Sequence, residues 1–320
     1  MSDWQPTASL EILKIKARLL SKLRAFFAEK DVLEVHTPIL SHAGNTEPAF
    51  ESFFTAQNDQ SCFLNTSPEF AMKRLLAAGC GSIYQISPAF RQGEQGKKHN
   101  PEFTLLEWYR VDFDHLALME EVDALLRFVA EDVLTLDPSQ FFSYRQAMIK
   151  FAEVDPFIAT KRELKDASIK AGIDAVGMDD ATTDEWLDLL MSLVVEKNLP
   201  LNCPVFIYDY PASQAALAKI TKGSPAVAER FELYINRMEL ANGFHELSDA
   251  EEQETRFKKQ QVHRNKTGQA YIPIDYHLIS ALKQGLPECA GVAIGLDRLL
   301  MVLTAAEHIN EVLTFPFERA

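Results

Sequence analysis

Long apolar runs are missing from this 320-residue chain, and their absence excludes a helix that spans a bilayer. The first residues, Met1-Ser2-Asp3-Trp4-Gln5-Pro6, lack the basic stretch and apolar core of a secretory signal. Cysteine is sparse. Cys62, Cys80, Cys203 and Cys289 are scattered with no CxxC pair, which argues against a zinc ribbon or disulfide frame and for reduced core thiols of a cytosolic protein. Basic residues are outnumbered, 32 Lys and Arg against 46 Asp and Glu, for a net charge of −14 and a pI near 5.1. A protein whose main task is gripping a nucleic-acid backbone needs the opposite balance. There is no repeat, no low-complexity segment and no Pro/Ser-rich linker. The expectation is a soluble, cytoplasmic protein with no membrane partner, 47% hydrophobic and so able to bury a sizeable core.

The periodicity predicts helices over 10–29, from 69 to Gly79, over 116–133, over 250–266 and over 275–284, with Gly285 closing the last. Strand patterns run over 32–35, 83–86, 103–110 and 205–208, through two runs flanking Asn236-Arg237 between 231 and 247, and over 292–294, which leads into a helix starting near Asp297. Residues 41–60 read as a polar, turn-rich stretch, and 144–199 as a mostly helical insertion or scaffold. One domain of the α+β class is expected over 1–320, built on a largely antiparallel sheet.

The chemistry concentrates in a few places. Phe90-Arg91 is followed by a loop carrying Gly93, Gly96, Lys97, Lys98 and His99, then by Asn100-Pro101-Glu102-Phe103-Thr104-Leu105-Leu106-Glu107-Trp108-Tyr109. Such a loop between two strands suits closure over polyphosphate. Alternation puts Phe103, Leu105, Glu107 and Tyr109 on one face, and Thr104, Leu106 and Trp108 on the other. The bland reading leaves Glu107 solvated on an edge. Gly295-Leu296-Asp297-Arg298 offers a second arginine, although Asp297 also suits a plain N-cap and Arg298 a surface position. Glu232 and Glu239 flank the Asn236-Arg237 turn and together suit Mg²⁺, or a solvated hairpin face. Asn242, Phe244 and Glu246 share one parity and Glu239 the other, so one shared site requires a bulge or bend, expected at Gly243 or Ala241. Glu69 and Glu246 suit amino groups, while Glu69 also fits a helix-dipole acid. His36, His42 and His245 have no metal spacing with one another and read as structural or surface residues.

Taken in order, these segments resemble the catalytic core of a class II aminoacyl-tRNA synthetase of the lysyl type. The first helix with Pro38, the Phe90-Arg91 to Tyr109 segment and Gly295-Leu296-Asp297-Arg298 resemble its three motifs. Thr66-Ser67-Pro68-Glu69 and Glu239-Leu240-Ala241-Asn242-Gly243-Phe244-His245-Glu246-Leu247 are similar to its lysine-pocket segments. With the first core helix starting near residue 10, no anticodon-reading domain is expected ahead of it. Within the group, the chain resembles the elongation factor P–(R)-β-lysine ligase family, especially at Tyr208-Asp209-Tyr210-Pro211-Ala212-Ser213-Gln214-Ala215-Ala216-Leu217-Ala218 and Glu107-Trp108-Tyr109-Arg110.

That resemblance implies the class II catalytic fold, ATP as co-substrate with Mg²⁺, (R)-β-lysine and elongation factor P as partners, no tRNA, and a homodimer. It implies Arg91 and Arg298 as catalytic residues. Arg91, His99, Asn100, Phe103, Glu232, Glu239 and Arg298 are implied to bind ATP, Glu232 and Glu239 through the metal. Ser67, Glu69, Glu107, Tyr109, Asn242, Phe244, Glu246 and Ala293 are implied to bind the amino acid, with Glu246 and Tyr109 at its ε-ammonium. Ala241 and Ala293 stand where lysyl-tRNA synthetases commonly carry glycine, and the added methyls would favour a β-amino over an α-amino group. Gly93 departs from the family's glutamate, with Glu94 one residue later. The alternatives are a truncated lysyl enzyme that charges tRNA or another carrier, and a non-catalytic regulatory relative.

Overall fold

The computed structural model describes residues 4–57, 60–178 and 180–320. Its strands are β1 (Leu33–Glu34), β2 (Leu40–Ser41), β3 (Phe54–Gln57), β4 (Gln60–Leu64), β5 (Ile83–Phe90), β6 (Glu102–Val111), β7 (Gln140–Ser143), β8 (Pro204–Pro211), β9 (Val227–Ile235), β10 (Met238–His245) and β11 (Cys289–Gly295). Eight of them form one sheet in the order β1-β5-β6-β11-β10-β9-β8-β7. The pairs at its two ends, β1–β5 and β7–β8, are parallel, and every pair between them is antiparallel. This is an α+β fold with a mainly antiparallel sheet, as expected. The 41–60 stretch holds more order than its composition suggests: β2, β4 and β3 make a small antiparallel sheet. These strands are short and the outer two leave Leu40 and Phe54 exposed, so alternation gives little signal.

Helices α1 (Leu10–Glu29), α2 (Glu69–Ala77) and α3 (His115–Ala130) lie in the first half of the chain. Ser9 caps α1 by accepting from the Ile12 N–H, and Asp114 caps α3 by accepting from Ala117, which satisfies backbone donors that a helix start leaves orphaned. The 144–199 segment is helical, as expected. It comprises α4 (Tyr144–Ala147), α5 (Lys161–Lys170), α6 (Thr183–Leu190) and α7 (Glu196–Asn198), with π turns at Met148–Ala152 and Met191–Val195. Capping boxes at Ser143, Thr160 and Thr182 start three of these helices. This segment packs its own apolar cluster, including Trp186, Leu187 and Leu190, against Val205 and Ile207 of β8. The last helices are α8 (Ala250–Lys266), α9 (Tyr276–Gln284) and α10 (Leu296–Thr304).

The main core sits on one face of the large sheet, and a smaller cluster on the other face packs Ile83 and Tyr109 against α2, α8 and α9. Leu106 and Trp108 of β6, Val292 and Ile294 of β11, and Phe231 of β9 point into the main core, against α1, α3 and α10. Phe27 stacks on Tyr84 at 4.3 Å and meets Trp108 edge-on at 5.4 Å. The buried Trp108 ring donates its Nε1–H to Glu121 at 3.0 Å, the partner a buried indole needs. Gly243 allows the sheet to close over Phe231, whose ring would lie 2.4 Å from any Cβ placed there.

Asp297 is not a cap. Gly295 occupies the N-cap of α10, and the Asp297 carboxylate, 1% exposed, accepts from the Thr104 N–H at 2.7 Å and pairs with Lys16 at 2.9 Å. It stitches α10 to β6 and to α1. Asp297→Ala should orphan a buried N–H and strand the Lys16 ammonium, lowering stability by about 3 kcal/mol; urea unfolding reads this, and a loss below about 1 kcal/mol would contradict the stitch.

Candidate active site

Opposite the core, side chains line up across the strands. Register places Glu232 (β9), Asn242 (β10), Ala293 (β11), Glu107 (β6) and Gln85 (β5) in one row. The next row of the same parity holds Arg230, Phe244, Gly291, Tyr109 and Ile83. The alternation read from residues 103–109 holds: Leu106 and Trp108 enter the core and Glu107 and Tyr109 the opposite face. Ala293 lies in the first row, whereas Ala241 pairs with Ile294 and is buried in the core on the other face. The 241 methyl therefore does not line the same space as the 293 methyl.

The parity conflict at Glu239 is resolved by a bulge. Asn236 and Arg237 both have positive φ, 52° and 61°, the geometry of a two-residue hairpin turn. Beyond it the register slips by one between Glu239 and Ala241. Glu239 pairs with Tyr234, two residues from Glu232, and so joins the face that carries Asn242. The extra residue is Leu240, adjacent to Ala241 but not at Gly243.

At one end of this face three carboxylates gather around one buried ammonium. Lys73, 2% exposed, reaches from α2 to Glu69 at 2.7 Å and Glu246 at 2.5 Å. Glu107 accepts from the Tyr109 hydroxyl at 2.7 Å, and its second oxygen is buried with no partner. Burial pushes Glu107 up to about 8, with Glu69 adding to it. Burial likewise pushes Glu246 up to about 8 against the pull of Lys73. Burial pulls Lys73 down, but Glu246 and Glu69 outweigh it and hold the ammonium above its usual value. The cluster thus has more carboxylate than cation and stays short of positive charge. Lys73 escapes sequence reading because a lone lysine in an amphipathic helix looks like a surface residue; only its i,i+4 spacing from Glu69 gives a hint. Ser67 accepts from the Glu69 N–H at 3.3 Å. Gly291 leaves the space this cluster fills: a Cβ there would sit 2.3 Å from the Tyr109 ring and 2.6 Å from Glu246 Oε1.

The other end is cationic. Arg91 lies between the rings of Phe50 at 4.1 Å and Phe103 at 5.0 Å, and pairs with Glu94 at 3.4 Å. Its Nε is buried without a partner. Arg298 donates to the carbonyls of Glu239 at 2.9 Å and Lys98 at 3.2 Å, and its Nη2 is 2.6 Å from His99 Nε2. Burial and then the Arg298 charge pull His99 down, so a neutral imidazole accepts from the guanidinium. Phe50 was not anticipated. It is held by Arg264, fully buried in α8, which donates to the Phe50 carbonyl and pairs with Glu51 at 2.8 Å. Asn100 is occupied on both sides, donating to the Glu102 carbonyl and accepting from the Phe317 N–H.

Between the two ends, Glu232 accepts from Tyr210, Tyr234 and Arg230, and Arg230 also donates to Asn242 at 3.2 Å. A carboxylate has about four lone-pair directions, so about one of Glu232 remains open. Glu239 keeps 43% of its side chain exposed, yet the atoms packed around it and then the Glu232 charge push it up to about 7. Glu196 from α7, also unanticipated, is pushed up to about 7 by burial and then by Glu232 and Glu239. The hard oxygen donors and excess negative charge here fit a divalent cation such as Mg²⁺.

Residues 2–319 match the family of class II tRNA synthetases for D, K and N, so the chain belongs to that family and is a synthetase-type ligase. Its curated relatives include proteins narrower in kind. The elongation factor P–(R)-β-lysine ligases of Vibrio cholerae and Vibrio parahaemolyticus are each 49% identical, over 100% and 99% of this chain and 99% and 98% of theirs. That of Yersinia enterocolitica is 44% identical over 100% of this chain and 99% of its own. The chain belongs to the elongation factor P–(R)-β-lysine ligase family.

The raised carboxyl values fix a sign. A proton held in the folded state favours folding at low pH, and that contribution is lost as pH rises from 4.5 through about 8. Lys73→Met removes the only cation the cluster contains among the described residues. The expected loss is about 3–5 kcal/mol at pH 9 and clearly less at pH 6, where the carboxyls take up protons; equal losses at both pH values by urea unfolding would refute the shared-ammonium picture.

Proposed function

We propose that this chain activates (R)-β-lysine with ATP as an aminoacyl-adenylate and transfers it to a lysine side chain of elongation factor P. The observation that carries this is one sheet face with surplus buried carboxylate at one end and anchored arginines at the other. From Tyr109 to Phe103 along β6 is six residues, about 20 Å at about 3.3 Å each, enough for a diamino acid joined to an adenosine phosphate. The names of the relatives supply the substrate and acceptor, and the surplus carboxylate supports a substrate with two amino groups.

Glu69, Glu107 and Glu246 take the two ammonium groups, with Tyr109 and Ser67 beside them. Asn242, held by Arg230, orients the end near the carboxylate, and Phe244 and Ala293 shape the space around it. A methyl at Ala293 discriminates by about 1–3 kcal/mol. A carboxylate oxygen of the amino acid attacks the α-phosphorus, the bond to pyrophosphate breaks, and the mixed anhydride forms. Arg91 stabilises the charge that develops on the α-phosphoryl oxygens. His99 and Arg298 hold the leaving pyrophosphate, Asn100 fixes the loop that carries them, and Phe103 packs on adenine. When bound at Glu239 and Glu232, Mg²⁺ would neutralise phosphate charge. The acceptor's ε-amine, as free base, then attacks the carbonyl carbon, an amide bond forms and AMP departs.

The acidic surface argues against tRNA as acceptor, since net charge is −14. The chain acts as a homodimer, with exposed Leu33, Leu40 and Phe54 as apolar contacts. Its place is the cytoplasm, where elongation factor P works; among the described residues no helix is long and apolar enough to cross a membrane.

ATP–pyrophosphate exchange with (R)-β-lysine tests the activation step. Exchange should favour the β-isomer over (S)-α-lysine and fall about 10²–10³-fold in Arg91→Ala; exchange with α-lysine alone, or with neither, would overturn the reading. A dication needs ionised carboxylates, and Glu107 and Glu246 hold protons below about 8. Accordingly kcat/KM should rise between pH 6 and 8.5, with a shallower acid limb in Glu107→Gln. A flat profile would mean that these carboxyls do not take the substrate's ammonium groups.

A further inference from the structure

The core-side face of the sheet carries a separate polar cluster that the ligase chemistry leaves unused. His115 opens α3 and is only 6% exposed. Its Nε2 lies 3.1 Å from Asp209 Oδ1, while its Nδ1 is buried with no hydrogen-bond partner. His245 sits between Phe244 and Glu246 on β10, so alternation turns it to the opposite face. Glu229 has the same relation to Arg230 on β9. One ring nitrogen from each histidine and one Glu229 oxygen all lie within 4.8 Å of one another. His245 Nδ1 meets Glu229 at 2.5 Å and its Nε2 meets Glu288 at 2.9 Å.

An aspartate accepting from Nε2–H leaves the lone pair of His115 on Nδ1. That is the outer-shell arrangement which orients metal-bound histidines, and it explains a buried ring nitrogen with nothing to bond. Two imidazoles with one carboxylate prefer zinc-class transition metals over Mg²⁺ or Ca²⁺. Bonds of about 2.0–2.2 Å at tetrahedral angles require donors about 3.3–3.6 Å apart, a contraction of at most about 1.5 Å from the present spacings. We propose that His115, Glu229 and His245 bind a divalent transition-metal ion of the zinc class, with Asp209 orienting His115. The ion fastens the start of α3 to β9 and β10 behind the strands that carry Phe244 and Glu246.

Equilibrium dialysis of the full chain against Zn²⁺ in excess Mg²⁺, read by metal analysis, tests this. About one equivalent should bind and raise the melting temperature, and Co²⁺ in its place should give visible d–d absorption. His115→Gln and His245→Gln should each weaken binding at least tenfold and erase the Co²⁺ bands, and Asp209→Asn should weaken it about 10–100-fold. Circular dichroism verifies that each variant is folded, and the two histidine variants serve as independent checks. Glu239→Gln, in the nucleotide cleft, should retain the ion. Binding that survives both histidine variants, binding lost in Glu239→Gln, or no stoichiometric binding by the unaltered chain would each overturn the proposal.

Discussion

A β-strand sends successive side chains to opposite faces, and this molecule is organised by that constraint acting across eight paired strands. One parity on β6, β11, β10 and β9 builds the apolar core beneath α1, α3 and α10. The other carries Glu232, Asn242, Glu107, Arg230 and Tyr109, interleaved with Ala293, Phe244, Gly291 and Ile83. Chemistry placed on strands inherits the rigidity of the core behind it. A one-residue slip anywhere would exchange the two sets. Register shifts twice among the described pairs, between Tyr208 and Tyr210 on β8 and at Leu240 on β10; the second brings Glu239 to the site face and lets the Glu239 carbonyl receive Arg298.

Charge is then sorted along that face. Carboxylates outnumber the one ammonium at the Lys73 end, while Arg91, Arg298 and His99 hold the other. Neither end is relaxed. Glu107 keeps one buried oxygen unpartnered and Arg91 keeps one buried nitrogen unpartnered, each at a cost in desolvation. Lys73 is the internal counter-ion of the carboxylate end, paired with Glu69 and Glu246. Arg264 plays the analogous part at the cation end by fixing the segment that carries Phe50.

Much of the catalytic face was legible from residue order. Glu107 and Tyr109 share a parity, Asn236-Arg237 marks a hairpin, and Arg91 with the loop that follows it, together with Arg298, stands out against an acidic chain. The resemblance supplied roles that parity alone does not. Less legible were β2, β3 and β4, whose few residues give alternation no length in which to show itself. Phe50, Lys73 and Glu196 were also missed, since each sits in a segment whose local pattern explains it fully as a loop, an amphipathic helix or a helix end.

By itself the sequence determined which residues face together within each strand, where several helices begin, and that the chain carries ligase chemistry. Those properties depend on neighbours a few positions away and on composition. Tertiary structure alone decided that Lys73 sits between Glu69 and Glu246, that Asp297 bonds β6 and not its own helix, that the bulge falls at Leu240, and that Ala241 faces the core while Ala293 faces the site. It also gathered His115, Glu229 and His245, which lie on three different elements. Each of these follows from register between distant strands, and register is set by packing of the whole sheet against its core.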